Sequence, residues 1–122
     1  HSFEDVRRHH SMGAAQGGSV KMIKLGGVTR ANQATALFAD LGMNVNLAGK
    51  TAETSVSSAA VLHLAAAAPT LAWGVSPTTP YLATDVVRNP ITVRGGHISA
   101  PEGAGLGLEI DEDALARHAR KI

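Results

Sequence analysis

The sequence predicts an α/β fold built from parallel βαβ units. Two short apolar stretches, residues 19–23 and 43–47, are each followed by a glycine-containing loop and a helical pattern, and a third apolar stretch spans residues 71–75. Strands that alternate with helices in this way form parallel sheets with right-handed crossovers. Aromatic residues make up only 3% of a chain that is 44% hydrophobic, so we expect small aliphatic side chains to pack the helices closely on the sheet.

Composition and charge exclude several classes of protein. The chain has 122 residues, a formal net charge of +1 and no cysteine, which fits one domain without disulfides or thiol chemistry. Basic residues form no block interleaved with aromatics, so nucleic-acid binding is not expected. The longest apolar run, residues 59–68, is shorter than the ~20 residues that cross a membrane, so no membrane span is expected. The first residues show no signal-peptide pattern, and we expect a cytoplasmic protein.

The first two predicted helices have recognisable ends. Ser2 with Asp5 three residues later resembles a capping box, and Gly13 together with the pair Gly17-Gly18 ends this first helix. From Thr29 a second helix places apolar residues at i, i+3, i+4 and i+7. It stops where a glycine in the left-handed conformation belongs, at Gly42.

The chain changes character after the third helix. This helix begins at residues 54–55 and ends at Pro69. Beyond Pro80 the alternation of strand and helix stops, and residues 91–99 resemble a hairpin around a glycine pair. A last helix opens at Asp111 and carries basic residues in its last turn, namely Arg117, His118, Arg120 and Lys121. We predict that this tail forms a separate flap or cap.

Lys21 lies near the end of the first predicted strand, shortly before a glycine pair. In (β/α) barrels the chemistry lies at the C-terminal ends of the strands, so a lysine there places its side chain in the active site. The alternative interpretation is a solvated edge-strand lysine with no chemical role, because surface lysines are common.

Several short motifs occur in a fixed order along the chain. They are Lys21-x-x-Lys24-x-Gly26-Gly27, Gly42, Ala52-Glu53-Thr54-Ser55, His63, Trp73-Gly74, Pro101-Glu102-Gly103-Ala104-Gly105-Leu106-Gly107 and Asp111. This ordered set resembles the enolase superfamily, and within it the muconate-lactonizing subgroup, which is mandelate racemase/muconate cycloisomerase-like. The resemblance covers the whole chain but only the last third of such an enzyme.

The resemblance implies a partial TIM-like (β/α)7β barrel plus a segment of a capping domain. The three predicted strands would be the last three strands of the barrel. Residues 1–79 would form the C-terminal part of the barrel, and residues 80–122 would be a C-terminal tail that returns to the capping region.

The resemblance also implies a chemistry. Members of the superfamily abstract the proton α to a carboxylate and stabilise the resulting enediolate on a divalent metal, usually Mg²⁺. Lys21 would be the base, acting in the neutral form that partial burial and a neighbouring cation favour. Lys24, Lys50, Thr51 and Glu53 would contact a small carboxylate substrate or support the base. The alternatives are that Glu53 caps the following helix and that Lys50 and Thr51 are solvated loop residues.

The same resemblance places the metal ligands on earlier strands of the barrel. No metal site is therefore expected on this chain, and the isolated chain is expected to be inactive. Its expected partner is the missing N-terminal part of the barrel or, in a homo-oligomer, a second copy of itself.

Two interpretations of function stay open. The first is a fragment of a metal-dependent isomerase, of cycloisomerase or epimerase type. Residues 75–78 lack the acidic residue that lactonizing members tend to carry, so muconate itself is not assigned as the substrate. The second is a non-catalytic partial barrel that self-assembles or binds a partner.

Two further patterns are expected to be structural. His63 is predicted to be a hydrogen-bonded core histidine, and His9-His10 is not expected to chelate a metal, because adjacent helical side chains diverge by ~100°. The glycines at 103, 105 and 107 are expected to form a turn beside the barrel mouth rather than a dinucleotide loop.

Overall fold

The computed structural model describes residues 2–119, and these form five helices, three strands and a 3₁₀ turn. None of the helices in this range is long and apolar enough to cross a membrane. In chain order the elements are α1 (Phe3–Ser11), β1 (Gly17–Val20), α2 (Met22–Leu25), α3 (Val28–Asp40), β2 (Asn44–Ala48), α4 (Ser55–Ala67), β3 (Val75–Ser76), the 3₁₀ turn (Thr79–Tyr81) and α5 (Glu112–His118).

The three strands form one parallel sheet in the order β1-β2-β3, which confirms the predicted α/β class. Gly17 pairs with Asn44 and Val20 with Leu47, while the short contact with β3 begins where Leu47 pairs with Val75. All three strands therefore end at the same edge of the sheet, which we call the C-terminal edge. The loops that follow them meet there.

One face of the sheet packs against the helices and forms the core. The core cluster combines strand residues with residues of α3 and α4: Val20, Ala31, Ala34, Phe38, Met43, Val45, Leu47, Val61 and Leu64. Gly18 lies directly under the Phe38 ring, since an added Cβ would lie only 2.8 Å from Cζ of that ring. The expectation of a largely aliphatic core holds, with Phe38 as its aromatic member.

The ends of the first and third strands differ most from the prediction, while the second, expected at 43–47, spans Asn44–Ala48. The first strand was expected at 19–23, but it starts at Gly17 and ends at Val20, and Ile23 lies in α2. The Lys24 amide donates to the Lys21 carbonyl at 3.0 Å, which begins a helical turn immediately after the strand. The pair Gly17-Gly18, which was expected to end α1, therefore opens β1.

The third strand was expected at 71–75, but it consists of two residues, Val75–Ser76. Gly74 has a φ of +67°, and its amide donates to the Leu71 carbonyl at 2.9 Å. This turn prevents the preceding residues from continuing the ladder, although the Trp73 amide still reaches the Val45 carbonyl at 3.1 Å.

The helix ends follow the sequence signals. The Ser2–Asp5 capping box is complete, because each side chain accepts the other residue's backbone N–H. Helix α3 ends in front of Gly42, whose φ of +65° is the expected left-handed conformation. Helix α4 has Thr54 as its N-cap residue, within the predicted pair of start positions, but the Thr54 side chain makes no capping hydrogen bond.

The tail contains the predicted hairpin and helix. Arg94 and His97 form an antiparallel bridge across Gly95 and Gly96, both of which have positive φ. A second antiparallel bridge joins Val87 to Ile110. Helix α5 ends at His118, so the basic residues Arg120 and Lys121, predicted for its last turn, lie outside the described residues.

Asp85 of the tail supplies the cap that Thr54 does not. Its carboxylate accepts the Ser55 N–H at 2.9 Å and the Ser55 hydroxyl at 2.6 Å, and it also accepts the Val86 N–H. The Ser55 hydroxyl in turn accepts the Ile91 N–H at 2.8 Å. A negative charge at a helix N-terminus is stabilised by the helix dipole and by otherwise unpaired N–H groups. This contact therefore ties the tail to the start of α4.

We expect Asp85→Asn to lower the free energy of unfolding by about 1.5–3 kcal/mol, the range for hydrogen bonds to a charged group. The amide keeps the shape of the side chain but loses the charge and one acceptor. Urea unfolding of the protein that carries this chain measures the loss. Asp40→Asn, at the exposed end of α3, is the matched control and is expected to change stability by less than about 0.5 kcal/mol. Equal effects of the two substitutions would contradict the capping role.

Asp111 makes helix α5 sensitive to acid. Its carboxylate accepts the Ala114 N–H at 2.9 Å, and this backbone hydrogen bond holds the pKa of Asp111 below its usual range. Because the pKa is lower in the folded state, the stabilisation is present above the usual carboxyl pKa and is lost as the pH falls through the folded-state value. We expect the stability difference between the wild type and Asp111→Ala to shrink in acid.

Thermal unfolding of both proteins, near neutral pH and in acid, measures this difference. Glu102→Ala, which removes an exposed carboxylate in the tail, controls for the general effect of charge. A difference for Asp111→Ala that does not change with pH would rule out the carboxylate as the titrating cap.

Candidate functional site

The C-terminal edge of the sheet brings together residues that are far apart in the chain. β1 is followed directly by Lys21, β2 by the loop Gly49–Thr54 and β3 by residues 77–78. We call the segment from Gly49 to Thr54 the β2–α4 loop. Ligand and active sites of parallel α/β proteins lie at this end of the strands.

Lys21 lies at the C-terminal end of β1, the outer strand next to β2. Its Nζ donates to the carbonyl of Gly49 at 3.0 Å, and the side chain is half-buried. Side chains alternate between the faces of a strand, so Lys21 belongs to the same face as Ser19, opposite the helices. The lysine is therefore held by a backbone acceptor of the neighbouring strand's loop. It is not a free surface lysine.

Glu53 and Thr78 lie on the other side of Gly49. The carboxylate of Glu53 accepts the Ser57 hydroxyl at 3.0 Å, one turn into α4. The Thr78 hydroxyl donates to the Lys50 carbonyl at 2.6 Å and accepts the Glu53 N–H at 3.2 Å. The site therefore joins a lysine, a carboxylate and a hydroxyl around one buried glycine.

Gly49 allows these groups to approach one another. An added Cβ at this residue would lie 3.0 Å from Oε2 of Glu53 and 3.0 Å from Oγ1 of Thr78. These distances are tighter than ordinary van der Waals contact, so any side chain here would displace one of the two groups. Its N–H also donates to the Ser76 carbonyl at 3.1 Å, which fixes the glycine against β3.

The sheet face that carries Lys21 is polar. The Ser19 hydroxyl donates to Oδ1 of Asn46 at 3.1 Å, and Nδ2 of Asn46 donates to the Gly74 carbonyl at 3.0 Å and to the Ser76 hydroxyl at 3.1 Å. One amide thus links all three strands on this face. Asn46 was missed as a site-forming residue, although the polar residues at 44 and 46 between apolar neighbours were a signal of one polar strand face.

The remaining predicted site residues are more exposed. Lys24 lies in α2 and lines, together with Lys21, a groove of about 640 Å³ between α1 and the outer edge of β1. Lys50 and Thr51 are exposed in the β2–α4 loop. The structure therefore places Lys21 and Glu53 each against Gly49, and leaves Lys24, Lys50 and Thr51 exposed.

The histidines and the glycine-rich turn lie elsewhere. His63 is hydrogen-bonded, as expected, with Nε2 at 3.2 Å from the Leu106 carbonyl, but it is half-buried rather than in the core. This contact places Leu106 of the glycine-rich turn against the second half of α4, away from the C-terminal edge. His9 and His10 are exposed on α1. Within residues 2–119 no group of three or more His, Cys, Asp or Glu side chains could hold a metal ion.

Comparisons with known proteins agree with the geometry. A family model described as Enolase C-terminal domain-like matches residues 1–114. The chain is 28% identical to chloromuconate cycloisomerase of Pseudomonas putida over 117 aligned residues. The aligned region covers 95% of this chain and 30% of the relative. The chain is 34% identical over 103 residues to chloromuconate cycloisomerase of Cupriavidus pinatubonensis, with coverage of 84% and 27%.

Solved structures give the same result. The chain superposes with a TM-score of 0.88 on 2-chloromuconate cycloisomerase from Rhodococcus opacus, at 27% identity over 98% of this chain and 32% of that one. It superposes with a TM-score of 0.86 on muconate lactonizing enzyme from Pseudomonas putida, at 28% identity over 97% of this chain and 33% of that one. The chain thus spans about a third of the length of these relatives. The resemblance seen in the ordered motifs is confirmed, and the chain belongs to the enolase C-terminal domain-like family.

Proposed function

We propose that this chain is the C-terminal part of a metal-dependent enzyme that abstracts the proton α to a carboxylate, in a reaction of cycloisomerase or epimerase type. The observation that carries the proposal is the position of Lys21. It follows the first strand at the C-terminal edge, holds a backbone carbonyl at 3.0 Å and lies near Glu53 across Gly49. The relatives' names, chloromuconate and muconate cycloisomerase, support this reaction class.

We propose that the three strands are the last three of a (β/α)7β barrel. Residues 1–79 would belong to the barrel, and residues 80–122 would return to a capping region. Two features support this: β1 and β3 are both edge strands of the described sheet, and α3 and α4 pack against its aliphatic face, opposite Ser19 and Asn46. Open parallel edges expose unpaired backbone groups and favour pairing with further strands. We propose that the groove of about 640 Å³ beside β1 adjoins the preceding strand of the complete barrel.

In the proposed reaction Lys21 is the base. Its neutral amine takes the α-proton of the substrate, so the C–H bond breaks, an N–H bond forms, and the electron pair moves into the carboxylate as an enediolate. The Lys21 amine donates one N–H to the Gly49 carbonyl, and this hydrogen bond orients the lone pair of the lysine nitrogen. The resulting ammonium lies beside the new negative charge, which lowers the energy of the intermediate.

The proposed reaction needs a metal ion, which raises the question of its ligands. Residues 2–119 hold no cluster of three or more side chains that could ligate one. We propose that the Mg²⁺ of the complete enzyme is held by residues outside this chain.

The substrate we propose is a small carboxylate. Lys24, Lys50 and Thr51 lie exposed around Lys21 and Glu53, where cationic and hydroxyl groups suit an anionic ligand. Residues 75–78 carry no acidic group, so an exact match to the relatives' substrates is not part of the proposal.

Substitution of Lys21 tests the proposed base. We expect Lys21→Gln in the full-length protein to lower kcat by roughly 10²- to 10⁴-fold, the usual contribution of general base catalysis. The measurements are turnover of muconate and 2-chloromuconate, and exchange of α-protons with D₂O for a panel that includes N-acylated amino acids. Arg7→Gln, which removes an exposed positive charge on α1, is the control and should keep wild-type activity. A Lys21→Gln enzyme with unchanged kcat would refute the assignment.

We expect the isolated chain of residues 1–122 to show no turnover, because the proposed metal ligands lie outside it. Supplying the N-terminal part of the enzyme in trans should restore Mg²⁺-dependent proton exchange, and light scattering should detect the complex. A stable homodimer that binds no Mg²⁺ and gains nothing from the added part would instead identify a self-assembling partial barrel.

A further inference from the structure

We propose that Thr78 is a positioning residue for this reaction, because its hydroxyl sets the conformation of the β2–α4 loop that carries Glu53 and the carbonyl that holds Lys21. The inference rests on the proposed function. Thr78 follows β3, and its effect on the site passes through the loop of the neighbouring strand.

The hydrogen bonds of Thr78 join both ends of a tight turn. Its Oγ1 donates to the Lys50 carbonyl at 2.6 Å and accepts the Glu53 N–H at 3.2 Å. A hydroxyl has a single proton to donate, and this one is used inside the protein. Thr78 therefore has no hydrogen to donate to a substrate, so the role we infer for it is positioning of the loop.

The turn needs such support because its own backbone is strained. Ala52, between the two bonded residues, has a φ of +59°, and it is the one non-glycine residue with positive φ in the described chain. A side chain in this region is sterically unfavourable, and such strain persists only where the surroundings hold it. The turn's own hydrogen bond, from the Glu53 N–H to the Lys50 carbonyl, is long at 3.3 Å. The Thr78 hydroxyl bonds to both of these groups.

Gly49 transmits this constraint to Lys21. A Cβ built on Gly49 would lie 3.0 Å from the Thr78 hydroxyl and 3.0 Å from the Glu53 carboxylate, so both groups pack directly against this glycine. The carbonyl of the same glycine accepts the Lys21 ammonium hydrogen at 3.0 Å. A shift of the loop therefore moves the carboxylate and the acceptor of the proposed base together.

The test uses two variants of Thr78 in the full-length protein. Thr78→Val keeps the shape of the side chain and removes the hydroxyl, while Thr78→Ser keeps the hydroxyl. Thr84→Val is the matched control, because its hydroxyl lies on the exposed tail, at 3.1 Å from Nε2 of His118. Hydrogen exchange at the Glu53 amide reports on the loop without reference to activity.

We expect Thr78→Val to speed exchange at the Glu53 amide by about two- to tenfold. We expect it to lower kcat by roughly 10- to 100-fold, as a misplaced reacting group does, with KM changed by less than about threefold. Thr78→Ser should restore both exchange and kcat, and Thr84→Val should change neither.

Each contrary outcome has its own meaning. Unchanged exchange in Thr78→Val would show that the hydroxyl does not hold the loop and would overturn the inference. Faster exchange with an unchanged kcat would show that the loop geometry does not matter to the reaction, which also overturns it. A wild-type enzyme that exchanges no α-proton of any carboxylate tested would overturn the proposed function itself, and the positioning role with it.

Discussion

The register between β1 and β2 determines which side chains meet in this molecule. With Gly17 opposite Asn44 and Val20 opposite Leu47, one face of the sheet presents aliphatic side chains to α3 and α4. The other face presents Ser19 and Asn46. A slip of one residue would exchange the two faces of a strand and place an amide in the core. The pairing of Lys21 with the loop after β2 depends on the same register.

The conformation of the loop after β2 depends on hydrogen bonds from residues outside the loop as well as on its own sequence. Thr78 bonds to it from beyond β3, and Asp85 caps the helix that follows it. Gly49 brings the loop against β3 through the Ser76 carbonyl. The site is thus a property of three chain segments, and each supplies backbone or hydroxyl partners to the next. This arrangement gives a lysine and a carboxylate fixed hydrogen-bond partners.

Local signals in the sequence were enough for the fold class and for most helix ends. The alternation of apolar stretches and helical patterns predicted the parallel sheet, and the capping box at Ser2 and the glycine at 42 predicted helix ends. The predicted C-terminal end of the first strand was wrong because the apolar residues after it form a helical turn, Met22–Leu25, and do not extend the strand. The predicted third strand was too long because Gly74 adopts a turn conformation, which the apolar residues around it do not indicate.

For the site, Lys21 and Glu53 were named from their place in the motifs. Asn46, Thr78 and Asp85 were missed, since their partners lie 25 to 30 residues away and short-range patterns do not encode such contacts.

The capping of α4 by the tail has a consequence for how the chain acquires its final shape during synthesis. Ser55 receives its acceptor from a residue 30 positions further along the chain, and its hydroxyl receives the Ile91 N–H later still. Until the ribosome has released that part of the tail, the first turn of α4 has water in place of the carboxylate. The N-terminus of α4 can therefore acquire its cap only after this part of the tail has been synthesised.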